Sequence, residues 1–351
     1  MTTTFRAHSV ADLLSAIPTM AGYTPADSVV ILPFAGSTSV GLFRFDLPVI
    51  QPQQFAASAL GIVCRLEETS GMIVVVYAET SVALPDANPF APLANAIRLT
   101  ADACGIDLGD VIIVAQNGWF SESDETVHPH SEIGDAPDVG GPKPKANQSS
   151  GTRLPRVDAE RMRAIRSELA RLDHASRDAS PRDLVERFDR MHEVFESAVE
   201  GQRGSVGDDA LLLWLLSRPS LRDVALSQWC YDADSADEVL EFQLDWLDGA
   251  PDAPETLFLM GEGPAPDAAR LQAALRRVRQ LAACASGRGR AAPLACAAWI
   301  SWALGMSTHA ATYAQKALRA DPGHGLSQIV ATLCANGHLP LWAFPAENRR
   351  K

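Results

Sequence analysis

The sequence predicts an α+β protein, with an N-terminal α/β sandwich built on a small mixed sheet and a mainly α-helical C-terminal part. Three observations carry this reading. Apolar runs of strand length at 29–34, 72–77 and 110–115 alternate with amphipathic segments of helical period. Residues 121–156 are rich in Ser, Asp, Glu, Pro and Gly and poor in large apolar side chains. From about residue 157 onward the apolar period is helical throughout. The divisions expected are 1–120 as the α/β domain, 121–156 as a flexible loop or linker and 157–248 as a helical region. Residues 249–266 are then a Pro/Gly linker, and 267–351 a second helical region.

The first helix opens at Ser9, whose hydroxyl stands three residues before Asp12 in a pattern like a capping box. Leu13, Leu14 and Ile17 give its apolar face, and Pro18 and Gly22 are expected to break it. In the turn Pro25-Ala26-Asp27, the Asp27 carboxylate can accept from backbone amides. Val29 to Phe34 reads as a buried strand, and Ala35-Gly36-Ser37-Thr38 suits a hairpin connection to a partner over Val40–Leu47. There, Phe43 and Phe45 share one face while Arg44 and Asp46 share the other, the ordinary alternation of an edge strand with one solvated side.

A helix is expected near 51–68 with Phe55, Ala59, Ile62, Val63 and Leu66 on its inner face. Met72 to Tyr77 is a continuous β-branched run ending in Tyr, as in a strand covered on both faces. Asn88-Pro89 starts the next helix, and Asp110 to Ala115 is the following strand. Strand, helix and strand form a β-α-β unit, with its two strands parallel. Further helices are expected near 161–172, 182–200, 208–216, 220–231, 236–248, 267–286, 291–304, 307–320 and 325–336.

Ala21 to Val30 followed by Arg44-Phe45-Asp46-Leu47-Pro48 resembles the opening of domain-of-unknown-function family 4192, found in actinobacteria and some of their phages. Near the other end, Ala298 to Trp302, Gly305, Ala317 to His324 and Asn336-Gly337 resemble the same family. The resemblance implies a fold and a host range and names no activity. Arg and Ala richness, with only four lysines among 30 basic residues, fits a high-GC genome. Trp299 to Pro322 also resembles a tetratricopeptide helix pair, with Trp302, Gly305, Ala310, Ala314, Ala317 and Pro322 at matching places. One pair cannot bury its own face, and about three repeats make a stable stack.

With 47% hydrophobic residues the chain can build sizeable cores. Thr2 to Arg6 has no apolar leader core, and no apolar run approaches the roughly 20 residues of a membrane span. The six cysteines are scattered without a CxxC and read as free buried thiols. A cytoplasmic protein without a membrane partner is expected. The net charge of −13 conceals an asymmetry: residues 1–118 hold 4 basic and 10 acidic side chains, 119–266 hold 15 and 30, and 267–351 hold 11 and 3.

No motif specifies a reaction or a cofactor. Arg270, Arg276, Arg277 and Arg279, with Arg288 and Arg290, form the strongest basic cluster and are candidates for phosphate or nucleic acid. Docking on the acidic middle of the same chain is the favoured reading. His128-Pro129-His130 among Glu122, Asp124, Glu125 and Glu132 has metal-ligand chemistry in principle, but no regular element to fix it, and no metal site is assigned. His192 to Glu196 lacks the second His of a zincin motif and reads as a salt-bridged face. The glycines at 201–204 and 261–263 lack the strand-to-helix context of a phosphate loop.

Ligands of open α/β sheets sit beyond the carboxyl ends of parallel strands. Those ends are Tyr77 to Thr80 and Gln116 to Trp119. Asn117, Trp119 and Glu79, with Arg44 and Asp46 from the hairpin, are therefore the candidate ligand-binding residues; ordinary turn chemistry at Asn117-Gly118 is the competing explanation. The function expected is a non-enzymatic interaction or regulatory module with a protein partner and a small-ligand site on the α/β domain. The alternatives are an enzyme acting on a small polar or phosphorylated substrate at the strand ends, and nucleic-acid binding through the C-terminal arginines.

Overall fold

Alternation along the first strand settles how the N-terminal part is layered. In the computed structural model, β1 (Ser28–Ala35) sends Val29 and Ile31 to one face of the sheet, and Ser28, Val30 and Leu32 to the other. The structure describes residues 6–49, 51–66, 68–82, 88–135, 137, 143–177, 190–201, 204–247, 249 and 257–344. They fall into two compact units that divide at Ser150/Gly151.

The first unit is a seven-stranded mixed sheet. Its further strands are β2 (Thr38–Ser39), β3 (Phe43–Asp46), β4 (Gly71–Tyr77), β5 (Asp107–Ala115), β6 (Gly118–Ser121) and β7 (Asp124–His128). The order is β2-β1-β4-β5-β6-β7, with β3 also pairing β1. β4 and β5 are parallel, joined through a helix as expected, and the other pairings are antiparallel. On one face, α1 (Val10–Ala21) covers Val30, Leu32, Val75 and Tyr77 through Leu14 and Ile17. On the other, α2 (Pro52–Val63) and α3 (Ala91–Cys104) cover Val29, Ile31, Val74, Val76 and Ile113.

Local chemistry explains the ends of these elements. Ser9 caps α1 by accepting from Asp12 N at 3.1 Å, while Asp12 accepts from His8 N at 2.9 Å. Pro18, expected to break this helix, lies inside it, and the chain turns at Gly22 (φ 77°). Only the bond from position 18 to the Leu14 carbonyl is forfeited in that last stretch, and the buried Leu14 and Ile17 side chains hold the remainder in place. The helix expected at Asn88-Pro89 begins at Ala91, because Asn88 Oδ1 accepts from Phe90 N at 2.9 Å in a turn of its own.

The strand expected over Val40–Leu47 is two pieces, β2 and β3. The stretch 121–156, expected as a flexible loop, carries β7 and an extension that returns to the unit. Lys145 N donates to Gly22 O and Thr24 N to Lys145 O, both at 2.9 Å, while Gln148 brackets the Ala26 backbone with bonds of 3.1 and 2.7 Å. β7 is an edge strand with polar side chains at Asp124 and Thr126, so its sequence has no apolar run.

The second unit is helical: α4 (Ala159–Ala175), α5 (Met191–Val199), α6 (Val206–Leu216), α7 (Pro219–Cys230), α8 (Ala233–Leu247), α9 (Ala268–Cys284), α10 (Ala291–Ala303), α11 (Ser307–Ala320) and α12 (Gly325–Ala335). Of the helix expected over 182–200, residues 182–189 lie outside the described residues. One apolar cluster runs from Ile165 to Leu333. Part of the expected 249–266 linker is thereby tied in: Leu257–Met260 forms a 3-10 turn, and the Phe258 ring packs edge-on against Trp299 at 5.8 Å.

All thirteen residues of α10 are buried. Indole N–H groups tie it to irregular backbone, with Trp299 donating to Leu259 O at 2.9 Å and Trp302 to His338 O at 2.8 Å. A buried indole without such an acceptor loses the full desolvation cost of its N–H. α10 and α11 form the helix pair over Trp299 to Pro322, with Gly305 (φ 76°) at the turn and Ala310, Ala314 and Ala317 buried between helices. Cys230, Cys284 and Cys296 are buried thiols, whereas Cys64 and Cys104 are exposed near the C-terminal ends of α2 and α3. Among the described residues no helix is long and apolar enough to cross a membrane.

Candidate functional site

The parallel pair β4/β5 ends at Tyr77 and Ala115, and a cleft of about 310 Å3 lies just beyond. Its apolar wall includes Leu14 of α1 together with Val114 and Ile133, and its polar groups include Asp27, Tyr77, Glu79 and His130. This is the placement that parallel α/β strands favour for a ligand: the β-branched stretches end there, and loops must take over.

Tyr77 closes the apolar run of β4 and points, by strict alternation, to the α1 face beside Val75. It is 8% exposed, and its Oη is buried with no hydrogen-bond partner among the described residues. Burial pushes the phenol far above its ordinary pKa, so the group stays a neutral donor at physiological pH.

Asp27 holds a left-handed backbone (φ 42°), uncommon for a residue with a Cβ. Three contacts fix it: Oδ1 accepts from Glu79 N at 3.2 Å, its carbonyl accepts from Leu47 N at 2.8 Å, and its neighbour Ala26 is held by Gln148. Such strain persists where surrounding structure over-determines it. His130 Nε2 lies 2.9 Å from Ala115 O. A carbonyl only accepts, so Nε2 carries the hydrogen of that bond.

Among the strand-end candidates, Glu79 lines the cleft, while Asn117 and Trp119 are not in its wall. The Asn117 side chain brackets Val82, accepting from its N at 2.9 Å and donating to its O at 2.8 Å, which closes the loop after β4 onto the β5–β6 turn. Trp119 is buried on the α1 face and stacks on His128. Arg44 lies on the same sheet face as Tyr77 by register, yet its side chain is only 8% exposed: Nε donates to Ser28 Oγ at 2.7 Å and Nη1 meets Asp46 at 2.6 Å. The solvated side expected for β3 is realised at Asp46, 86% exposed, and not at Arg44.

His128 sits between Asp124 Oδ2 and Glu132 Oε2, each at 3.0 Å, so both ring nitrogens are engaged by carboxylates. Those bonds hold its pKa above the ordinary histidine value, Asp124 first. Among the described residues no group of three His, Cys, Asp or Glu side chains could hold a metal ion. His192 bonds Gln228 and Asp237, and Glu196 takes a bidentate grip from Arg270 at 2.6 and 2.8 Å. Arg279 donates to the carbonyls of Gly151 (2.5 Å) and Arg153 (2.8 Å), and Arg276 is exposed.

Arg277 is buried against Asp209, which also receives Arg161 through Nε (3.1 Å) and Nη2 (2.5 Å). Arg270, Arg277 and Arg279 therefore engage three separate partners, while Arg276 is exposed. Gly204 lies under this pair, where a Cβ would overlap the Arg277 guanidinium, and a Cβ at Gly261 (φ 87°) would stand 2.7 Å from Pro340 Cα. Both glycines are packing positions. Sequence reading missed Asp27, Tyr77 and His130 as cleft residues. The legible signal was the position of Tyr77 as the last residue of β4; the return of His130 to Ala115 O spans 15 residues and has no local signature.

A mixed seven-stranded sheet with helices on both faces, followed by a helical unit built on one apolar cluster, defines a two-unit α+β protein. The chain belongs to the family described as Domain of unknown function (DUF4192), whose model matches residues 11–261 and 263–340. No curated protein and no solved structure matches it.

Proposed function

We propose that the α/β unit is a small-molecule-binding module whose site is the strand-end cleft. The ligand's apolar body packs on Leu14, Val114 and Ile133, and its hydroxyl or amine head is directed to Asp27, Glu79 and His130. The carrying observation is Tyr77, a buried donor in the cleft wall with no partner among the described residues. An unsatisfied buried hydroxyl costs about 1–3 kcal/mol, and a ligand acceptor reached by a small ring adjustment recovers it. The strained Asp27 and the mixture of apolar wall with a few convergent polar groups support the same reading.

Tyr77→Phe tests the proposal through two opposed readouts. The variant is expected to be as stable as wild type or more so without ligand, and to bind less of the small molecule that native mass spectrometry finds on the wild-type chain. Ala26→Phe, which fills the cleft from a half-exposed position, is expected to abolish that adduct. Retention of the adduct in both variants, or loss of stability in Tyr77→Phe, would refute the assignment.

A further inference from the structure

We infer that the helical unit holds a second site, for a small oxyanion, in a cleft of about 290 Å3 where Arg161 and Arg277 converge on Asp209. The cleft lies at the start of α4, and its wall includes Arg156, Asp158 and Gln280 as well as those three charges.

The charge balance argues for an anion. One carboxylate, 2% exposed, stands between two guanidiniums whose side chains are 5% and 18% exposed, leaving one buried positive charge in excess. Two further acids nearby each make bonds of their own, and Asp208 also lies within electrostatic reach of Arg277. Asp158 caps α4 by accepting from Arg161 N at 3.2 Å. Asp208 caps α6 through Ser205 and faces Arg190 at 3.6 Å. Arg156 adds a third guanidinium to the wall and has no ion-pair partner among the described residues. An uncompensated buried charge is costly, and a bound anion removes the cost.

The donor inventory argues for the same ligand independently. Arg277 spends Nη2 on Asp209, but its Nε is buried with no hydrogen-bond partner among the described residues. Guanidinium forks match the paired oxygens of phosphate and carboxylate groups. The α4 N-terminus, with its positive dipole end, lies in the same wall.

Isothermal titration of inorganic phosphate into the full chain at constant ionic strength tests this inference. One saturable site with a Kd in the millimolar range or tighter is expected. Sulfate should compete, and chloride at equal ionic strength should not. Arg156→Gln and Gln280→Glu change exposed side chains of the wall and should each weaken phosphate by about two- to five-fold with an unchanged circular dichroism spectrum. Absence of saturable heat would overturn the inference, as would equal competition by chloride or wild-type affinity in both variants.

Discussion

The imidazole of His128 lies nearly parallel to the indole of Trp119, with ring centroids 4.4 Å apart and planes 17° apart. Asp124 and Glu132 on its two nitrogens favour the protonated form of a ring that also stacks on an aromatic face.

His128 therefore titrates above the ordinary histidine pKa of about 6.5. Because the folded value is raised, the contribution of this group to stability is complete below the unfolded value and is lost as pH rises through the folded one. Nuclear magnetic resonance titration of the ring protons should show the raised value, and Asp124→Asn should bring it down, since Asp124 is the larger cause. An unshifted midpoint in wild type would contradict this account.

Glu196 behaves in the opposite sense. Its bidentate bond from Arg270 holds the carboxyl below the usual range, with a further lowering from Gln228. A depressed folded pKa gives stability that is present above the unfolded value of about 4.3 and lost as pH falls through the folded one. Thermal midpoints of wild type and Glu196→Gln should differ at neutral pH and converge in acid. A gap that stays constant to pH 3 would contradict the assignment.

Although Cys64 is exposed, partial desolvation of its thiol and the neighbouring Cys104 thiol raise its pKa to about 11, desolvation being the larger cause. The thiolate is the nucleophile, so exposure alone does not make Cys64 reactive at neutral pH. Its iodoacetamide alkylation, followed by peptide mass, should keep rising about tenfold per pH unit through pH 9, where an ordinary thiol of pKa about 8.5 levels off. A plateau near pH 9 would rule the proximity effect out.

Gly118 cannot carry a Cβ. Its φ is 152°, and the added carbon would overlap His128 O and stand 2.9 Å from Val127 Cγ1. Gly118→Ala should destabilise the α/β unit by about 2–3 kcal/mol, seen as a lower urea midpoint, by separating β6 from β7. Gly36→Ala, also at positive φ (60°) but with nothing within 4 Å, should cost only the backbone term of about 1 kcal/mol.

The sequence-legible features were those set by short-range periodicity. Met72 to Tyr77 has the pattern of a doubly covered strand and forms β4, and the helical segments expected near 291–304 and 307–320 are α10 and α11. What escaped depends on pairs distant in sequence. The burial of Arg44 rests on Ser28, 16 residues away across the β1–β3 pair. β7 is too polar to announce itself and exists through its pairing with β6. At the strand ends, topology pointed to the sheet edge where the cleft opens, and Glu79 lines that cleft. Turn residues and ligand residues share the same polar chemistry, so the bonds of Asn117 to Val82, 35 residues away, are not legible in the sequence.

α10 gives the helical unit a kinetic character. Its indoles anchor backbone 40 residues upstream at Leu259 and 36 residues downstream at His338, so neither flank can peel away without exposing a tryptophan. Amide hydrogens of α10 should exchange last, and only through opening of the whole unit. A protease would then meet either the closed unit or the unfolded chain, with little populated between them.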